Sequence, residues 1–283
     1  MSLNRRAAIG GLVLAGGLPL SAHARSRPQR IVSLNPCLDA ILVEVADRQQ
    51  IKALSHYSRI RQQSNLYDLA LTFPQTHGTA EEIISLRPDL VLGSLHGDRA
   101  TRNALNRMGI TPSIFGVPAS ISENQQQVRD IARLVGHPAR GESLIKRINA
   151  ALSASRPHHP RRLRALIYQP NGFAAGQGTL MSEMMEIAGF ENVAGEYGVG
   201  KWGNVSLESL LANPPEVLLS STAQNQARSW AERIMHHQAL ASLRDRMVQA
   251  PFDERLLYCG GPVLVRTAQA LSRARDLALE QLS

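Results

Sequence analysis

The sequence has few aromatic residues, few cysteines and none of the motifs typical of common hydrolases. Aromatic residues make up 4% of the 283 positions, and there are two cysteines. A G-x-S-x-G turn, which exposes a nucleophilic serine, and an H-E-x-x-H helix, which binds zinc, do not occur in it. Beyond the N-terminal segment there is no apolar run of about twenty residues, the length that crosses a bilayer. These absences disfavour a secreted hydrolase and a membrane-spanning protein.

The charge of the chain is positive but scattered. The formal net charge is +8, and hydrophobic residues make up 43% of the sequence, enough for a substantial core. Only residues 158–164, HHPRRLR, cluster positive charge, and no aromatic residue lies among them. Nucleic-acid sites combine clustered cations with stacking side chains. We therefore expect no nucleic-acid partner.

Residues 1–24 have the pattern of an export signal. Arg5 and Arg6 precede a moderately apolar stretch, and residues 22–24 (AHA) form an A-x-A cleavage site. The paired arginines are typical of the twin-arginine route, but they also fit a plain positive n-region of a general secretory signal. We expect a soluble protein of the periplasm.

The two cysteines, Cys37 and Cys259, belong to a chain bound for an oxidising compartment. A cysteine pair in such a compartment forms a disulfide by default. The two positions are so far apart in sequence that only the fold can bring them together. A disulfide and two free thiols both remain open at this point.

Strand and helix patterns alternate along the chain, which predicts βαβ units and an α/β fold with parallel sheets in two Rossmann-like lobes. The predicted divisions are an N-terminal lobe at 25–118, linking helices at 119–160 and a C-terminal lobe at 161–283. Residues 139–155 carry apolar side chains on a period of 3.6, which predicts one long helix between the lobes. The predicted elements include strands at 51–55, 217–220 and 255–258, a helix start at 238–240 and a terminal helix at 263–282.

Two stretches of the chain repeat each other. EEIISLRPDLVLGS from Glu81 and ESLLANPPEVLLSS from Glu208 align without a gap, and Pro88 falls on Pro215. They lie at similar depth in the two halves, which indicates duplication of one α/β unit. Two such lobes leave a cleft, and ligands of open parallel sheets bind beyond the carboxyl ends of the strands.

Residues that follow predicted strands are candidates to line this cleft. The candidate ligand-binding residues are Asn35, Tyr57, Phe173 and Trp202, with Tyr258 near them. Aromatic rings in such loops would hold a flat apolar ligand.

Two other kinds of site are weighed against this one. His56 and His96 also follow strands, and with Cys37 they make a metal-ion binding protein the alternative from another functional class. The cluster GVGKWG at 198–203 matches G-x-G-x-x-G, but it follows a polar loop rather than a strand. We therefore interpret it as a flexible cleft loop and not as a phosphate site.

The chain resembles the cobalamin- and ferric-siderophore-binding periplasmic proteins of ABC importers. The motifs that carry the resemblance are RIVSLNP at 30–36, HYS at 56–58, EEIISLRPDLVL from Glu81, GFENV at 189–193, WGNVSLESLLANPPEVLL at 202–219 and GGP at 260–262. Together they span essentially the whole chain after the signal. The resemblance implies two lobes joined by a single long helix, and a monomer that carries a ligand without cofactor or chemistry of its own.

The resemblance also implies roles for particular residues. By motif match, Glu81 and Glu208 are exposed glutamates that dock onto basic pockets of the importer's permease, with Glu82 as a substitute for Glu81. Tyr57, Phe173 and Trp202 match aromatics that line the cleft of cobalamin-binding members. A corrinoid is therefore the expected ligand.

One position departs from the pattern of the cobalamin-binding members. Ser94 stands where such members place a tryptophan after the strand of the first repeat. The missing ring leaves a ferric siderophore or haem as the alternative ligand. Both cysteines would lie beside the cleft, so a bond between Cys37 and Cys259 would tie the lobes together across it.

Overall fold

A computed structural model describes residues 27–158, 160–221, 243 and 246–282, with residues 244–245 left out. The predicted export signal at 1–24 and a helix start predicted at 238–240 lie outside the described residues. Within the described part of the chain, no helix is long and apolar enough to span a bilayer.

The first lobe is a parallel sheet with helices packed against it. Its strands are β1 (Ile31–Ser33), β2 (Ile51–Ser55), β3 (Gln75–Thr76), β4 (Leu90–Ser94) and β5 (Ser113–Phe115), in the spatial order β3-β2-β1-β4-β5. Its helices are α1 (Pro36–Val45), α2 (Tyr67–Ala70), α3 (Ala80–Ser85) and α4 (Arg99–Arg107). Side-chain oxygens accept backbone N–H groups at the N-termini of two helices: Thr79 caps α3 and Asp98 caps α4.

Two helices lead from the first lobe to the second. They are α5 (Ile121–Leu134) and α6 (Pro138–Ala154), so the helix predicted at 139–155 is confirmed with a shift of one residue at each end. The apolar stripe of α6 is buried; its members are Leu144, Ile145, Ile148 and Leu152. Helix α6 packs against α1 of the first lobe and against the C-terminal helix α9 (Val263–Leu282) of the second. It therefore shares its core with both lobes.

The described residues of the second lobe repeat this architecture with fewer strands. Its main sheet contains β6 (Leu163–Ile167), β8 (Phe190–Asn192), β10 (Val217–Ser220) and β11 (Val248–Pro251), in the order β11-β10-β6-β8. A separate antiparallel pair is formed by β7 (Phe173–Ala175) and β9 (Trp202–Asn204). The helices before α9 include α7 (Leu180–Ile187) and α8 (Leu207–Ala212).

The duplication predicted from the repeat is visible in the strand order and in two equivalent hydrogen bonds. The order β2-β1-β4-β5 of the first lobe corresponds to β8-β6-β10-β11 of the second. The carboxylate of Asp89 accepts the backbone N–H of Arg30 at 2.8 Å, and the carboxylate of Glu216 accepts the backbone N–H of Arg164 at 2.8 Å. Asp89 precedes β4 and Glu216 precedes β10, and each acid holds the neighbouring strand, β1 or β6, in register.

One predicted strand is wrong. Residues 255–258 do not form a strand; a 3₁₀ turn at Glu254–Leu256 begins where the side chain of Asp253 accepts the backbone N–H of Arg255. The strand of this region is β11, which alternates buried and exposed positions and pairs in parallel with β10. The run RLLY has no alternation, so its apolar content alone could not distinguish a strand from a buried turn.

Candidate functional site

A pocket that is partly open to solvent lies where the two lobes face each other. Its lining residues are Val117, Pro118, Leu180, Met181, Trp202, Leu257, Tyr258, Cys259 and Gly260. Val117 and Pro118 belong to the loop after β5 in the first lobe, and the others belong to the second lobe. None of these side chains is charged, so the pocket suits an apolar part of a ligand.

Three aromatic rings lie together at this pocket. Phe173 and Trp202 stack with their ring centroids 5.6 Å apart and their planes 5° from parallel. Tyr258 lies 6.5 Å from Phe173, and the two rings are tilted by 31°. Trp202 is 43% exposed and Tyr258 is 46% exposed, so both keep ring surface available for a ligand. Such rings offer a large, rigid, apolar contact to a flat molecule.

The ring stack follows from the pairing of two short strands. In the antiparallel pair, Ala175 lies opposite Trp202 and Phe173 lies opposite Asn204. Phe173 and Trp202 are therefore diagonal neighbours on one face of the pair, close enough for large side chains to touch. Both residues were predicted from the sequence to line the cleft, and in the structure their rings stack on each other.

The glycine-rich stretch at 198–203 belongs to this aromatic pair and not to a phosphate loop. The backbone N–H of Gly176 donates to the carbonyl oxygen of Lys201 at 2.8 Å. A Cβ atom at Gly176 would lie 1.7 Å from the carbonyl oxygen of Gly200, so only glycine allows this approach. The stretch leads into β9 and not into a helix, which removes the geometry that cradles phosphates.

One wall of the pocket is fixed to the opposite lobe. Cys259 of the second lobe is bonded to Cys37 of the first, with an S–S distance of 2.08 Å. The backbone N–H of Gly261 donates to the side-chain oxygen of Asn124 in α5 at 2.6 Å. Gly261 has φ +64°, and a Cβ atom there would lie 2.5 Å from Cγ1 of Ile41 in α1. This close contact holds the loop that carries Tyr258 against the first lobe.

Two predicted ligand-binding residues lie apart from the pocket-lining set. The side-chain oxygen of Asn35 accepts the backbone N–H of Cys37 at 2.9 Å and caps α1. Tyr57 is 48% exposed, and its ring lies 4.0 Å from that of His56. Both residues follow strands of the first lobe, at the same edge of the sheet as the pocket, but neither contributes to its lining.

The alternative metal site, built from His56, His96 or Cys37, has lost one of its candidate ligands. Cys37 is bonded to Cys259 and has no thiolate to offer. His56 stacks on His77 with a centroid distance of 4.8 Å. Among the described residues, no group of three or more His, Cys, Asp and Glu side chains could hold a metal ion.

A buried carboxyl group behind the first-lobe edge was missed by the sequence reasoning. Asp39 of α1 is fully buried, and it accepts the backbone N–H of Ser55 at 2.9 Å and the hydroxyl of Ser58 at 2.6 Å. Burial raises the pKa of Asp39 to about 8, against the opposing effect of the hydrogen bonds from Ser58 and Ser55. Asp39 is therefore mainly protonated at neutral pH. The available signal in the sequence was an acid, Asp39, among the apolar residues of CLDAILV.

The two candidate docking glutamates are both exposed. Glu81 lies in the first turn of α3 and Glu208 in the first turn of α8. The pKa of Glu208 is lowered by its own backbone N–H and by the hydroxyl of Ser206. Glu82 differs from them, because its carboxylate accepts the hydroxyl of Thr76 and the backbone N–H of His77, each at 2.7 Å. The carboxylate of Glu82 is thus hydrogen-bonded within its own lobe.

A model of the periplasmic binding protein family matches residues 31–244 of this chain. The chain belongs to the periplasmic binding protein family. The match runs from β1 to a point before β11, so it includes the first sheet, the two linking helices and the strands that carry Phe173 and Trp202.

Curated relatives and solved structures agree with this assignment. A "Cobalamin-binding protein" of Halobacterium salinarum is 23% identical over 215 residues, 74% of this chain and 58% of the relative's length. The chain thus spans little more than half of that relative. A "Vitamin B12-binding protein" of Yersinia pseudotuberculosis is 24% identical over 226 residues, 78% of each chain.

Two crystal structures from Vibrio cholerae have the same fold as this periplasmic binding protein. The vitamin B12 binding protein BtuF has a TM-score of 0.65 and 20% identity, covering 90% of this chain and 99% of that one. The heme binding protein HutB has a TM-score of 0.67 and 20% identity, covering 87% and 98%. The fold is therefore shared by binding proteins with different ligands.

Proposed function

We propose that this protein captures a corrinoid between its lobes and delivers it to the permease of an ABC importer. The observation that carries the proposal is the stack of Phe173 on Trp202, with Tyr258 beside it, at a pocket without charged side chains. The exposed rings would cover part of the face of a macrocycle whose edge enters this open pocket. The names of the curated relatives support a cobalamin-type ligand.

A haem or a ferric siderophore is the second candidate. Ser94 supplies no ring on the first-lobe side, where the cobalamin-binding pattern has a tryptophan. Binding proteins for haem are among the solved structures with this fold. Such a site has aromatic rings from the second lobe only. It would suit a flat ligand that stacks on aromatic rings with one of its two faces and not with the other.

The proposed role is carriage without chemistry. Two residues that line the pocket carry a nucleophilic group: the sulfur of Cys259 is bonded to Cys37, and burial raises the pKa of the Tyr258 hydroxyl, which keeps it protonated. We further propose that residues 1–24 direct export to the periplasm, that the protein works as a monomer, and that Glu81 and Glu208 contact the permease.

Titration of the purified mature protein with cyanocobalamin, haem and a ferric hydroxamate siderophore tests this proposal. Quenching of tryptophan fluorescence and calorimetry would report binding. The expected result is saturable binding of cyanocobalamin with a dissociation constant of about micromolar or tighter, which corresponds to about −8 kcal/mol. Binding of haem or the siderophore instead would support the second candidate. Failure to bind any of the three would contradict the transport proposal.

A further inference from the structure

Residues 255–261 belong to the second lobe but are attached to the first lobe at both ends. They connect β11 of the second-lobe sheet with α9, which packs against β11. Near their start, the side-chain amide of Asn65 in the first lobe donates to the carbonyl oxygen of Arg255. Near their end, the sulfur of Cys259 is bonded to Cys37 of α1. We call residues 255–261 the strap, because they join the second lobe to the first.

The end of the strap also packs against the helices α5 and α1. The backbone N–H of Gly261 donates to the side-chain oxygen of Asn124 in α5 at 2.6 Å, and Asn124 is fully buried. A Cβ atom on Gly260 would lie 2.2 Å from that oxygen, and one on Gly261 would lie 2.5 Å from Cγ1 of Ile41 in α1. Glycine at both positions therefore lets the chain approach the two helices this closely. Since α5 itself packs against α1, this end of the strap moves with the first lobe.

The strap connects the lobes at a place separate from the long helix α6, which packs against both of them. Helix α6 is described along its whole length and none of its residues lines the pocket, whereas Tyr258 and Cys259 of the strap do. A lobe held only at one helix can tilt about it, but a lobe held at two separate places can rotate only about the line that joins them. The strap therefore restricts the rotations that would widen the pocket.

We infer that the strap is a conformational lock, which holds the lobes at a nearly constant separation for as long as Cys37 and Cys259 are bonded. The lock also sets the spacing between Glu81 and Glu208, which lie on different lobes. The inference goes beyond the proposed function, because it concerns the motion of the lobes and applies whichever ligand they hold. Breaking the bond should let the lobes separate further.

A dithiol can open the lock, because the bond is reachable from the pocket. Cys259 is partly exposed and lines this open pocket. One thiolate of the dithiol attacks the sulfur of Cys259, so that a mixed disulfide forms and Cys37 leaves as a thiolate. The second thiolate of the dithiol then displaces Cys259, and the dithiol, having given up two electrons, ends as a disulfide. Each released cysteine takes up one of the two protons that the dithiol has lost.

The distance between the lobes tests the inference. Spin labels carried by unnatural amino acids at Glu81 and Glu208, which are both exposed, leave the two cysteines unmodified. Double electron–electron resonance then measures the separation without ligand, and the oxidised protein should give one narrow distribution. The Cys37→Ser, Cys259→Ser variant should give a broader distribution whose mean shifts by more than about 2 Å. Dithiothreitol should produce the same change in the wild-type sequence, and reoxidation should reverse it.

Ile51→Ala is the matched control for loss of stability alone. Ile51 is buried at the start of β2, at the amino end of the sheet and away from the strap, so this variant should keep the narrow distribution. Equal distributions for the oxidised protein and the double serine variant would overturn the inference. Loss of secondary structure by both the variant and the reduced protein, seen by circular dichroism, would also overturn it, since a lock requires lobes that fold without it. The experiment contains no ligand and no permease, so either result leaves the proposed function intact.

Discussion

Glu81 and Glu208 occupy the same position in the two lobes. Each is the second residue of a six-residue helix, and each helix is capped by a hydroxyl, from Thr79 in α3 and from Ser206 in α8. Both side chains are exposed. The duplicated fold thus presents two equivalent carboxylates on its surface, one from each lobe, as a symmetric contact with a two-sided permease would require.

Replacement of both glutamates should separate ligand binding from transport. Glu81→Ala with Glu208→Ala should bind cyanocobalamin like the wild type, because neither residue lines the pocket. Uptake of the ligand by cells that depend on this protein should be abolished. Radiolabelled cobalamin uptake and titration of the purified variant are the two measurements.

The control for this experiment removes two other exposed acids, Glu186 and Glu280, with the same loss of charge. That variant should transport normally. Glu82→Gln is a second control. The carboxylate of Glu82 accepts hydrogen bonds from Thr76 and His77, so this substitution should lower the stability of the first lobe more than it affects docking. Normal uptake by the Glu81→Ala, Glu208→Ala variant would refute the docking role.

Loss of the disulfide should destabilise the protein. Cys37 and Cys259 are separated by 222 residues, so their bond restricts a large part of the unfolded chain. Cys37→Ala with Cys259→Ala should lower the free energy of unfolding by about 2–5 kcal/mol in urea denaturation. Dithiothreitol should lower the stability of the wild type towards that of the variant and leave the variant unchanged. Equal midpoints for the wild type with and without reductant would show that the bond contributes nothing.

The buried carboxyl group of Asp39 should make stability fall as pH rises. The pKa of Asp39 is raised from 3.8 to about 8 in the folded state, so the folded protein keeps a proton that the unfolded chain has released. Stability from this group is full below about pH 4 and declines towards pH 8, by up to about 1.4 kcal/mol per pH unit. Asp39→Asn, which cannot ionise, should flatten this decline. Urea denaturation between pH 5 and pH 8 measures the slope.

Asp98→Asn is the matched control for the pH experiment. Asp98 is an exposed cap of α4, and hydrogen bonds from Thr101 and Ala100 lower its pKa. Its contribution is present above its unfolded pKa and disappears as pH falls, so this variant should keep the wild-type slope between pH 5 and pH 8. A wild-type slope in Asp39→Asn would show that Asp39 does not cause the decline.

Elements with strong local patterns were predictable from the sequence. The strands at Ile51–Ser55 and Val217–Ser220 lie where they were predicted, because each is a short apolar run bounded by turn residues or by proline and an acid. The long helix shifts by one residue because Pro138 itself occupies the first turn. The two stretches that begin at Glu81 and Glu208 revealed the duplication, because in both of them a helix is followed by a proline, an acid and a strand in the same order.

The aromatic site could be predicted only in part. Phe173 and Trp202 were recognised as cleft residues, but β7 and β9 have three residues each, too few to show an alternating pattern. Tyr258 was placed after a strand that does not exist, and it reaches the pocket because Cys259 and Gly261 fix its loop to the other lobe. Contacts between residues so distant in sequence depend on the complete fold.

Comparison of cyanocobalamin binding by wild type and by Trp202→Ala tests the central claim most directly. Trp202 contributes exposed ring surface to the pocket, so its loss should weaken binding by about tenfold or more with little change in stability. Leu71→Ala is the control, because Leu71 is 51% exposed outside the pocket lining and should not affect affinity. Saturable binding by the wild type that weakens only in Trp202→Ala is the predicted result. Equal affinities in the wild type and Trp202→Ala, or no binding by the wild type, would contradict the account.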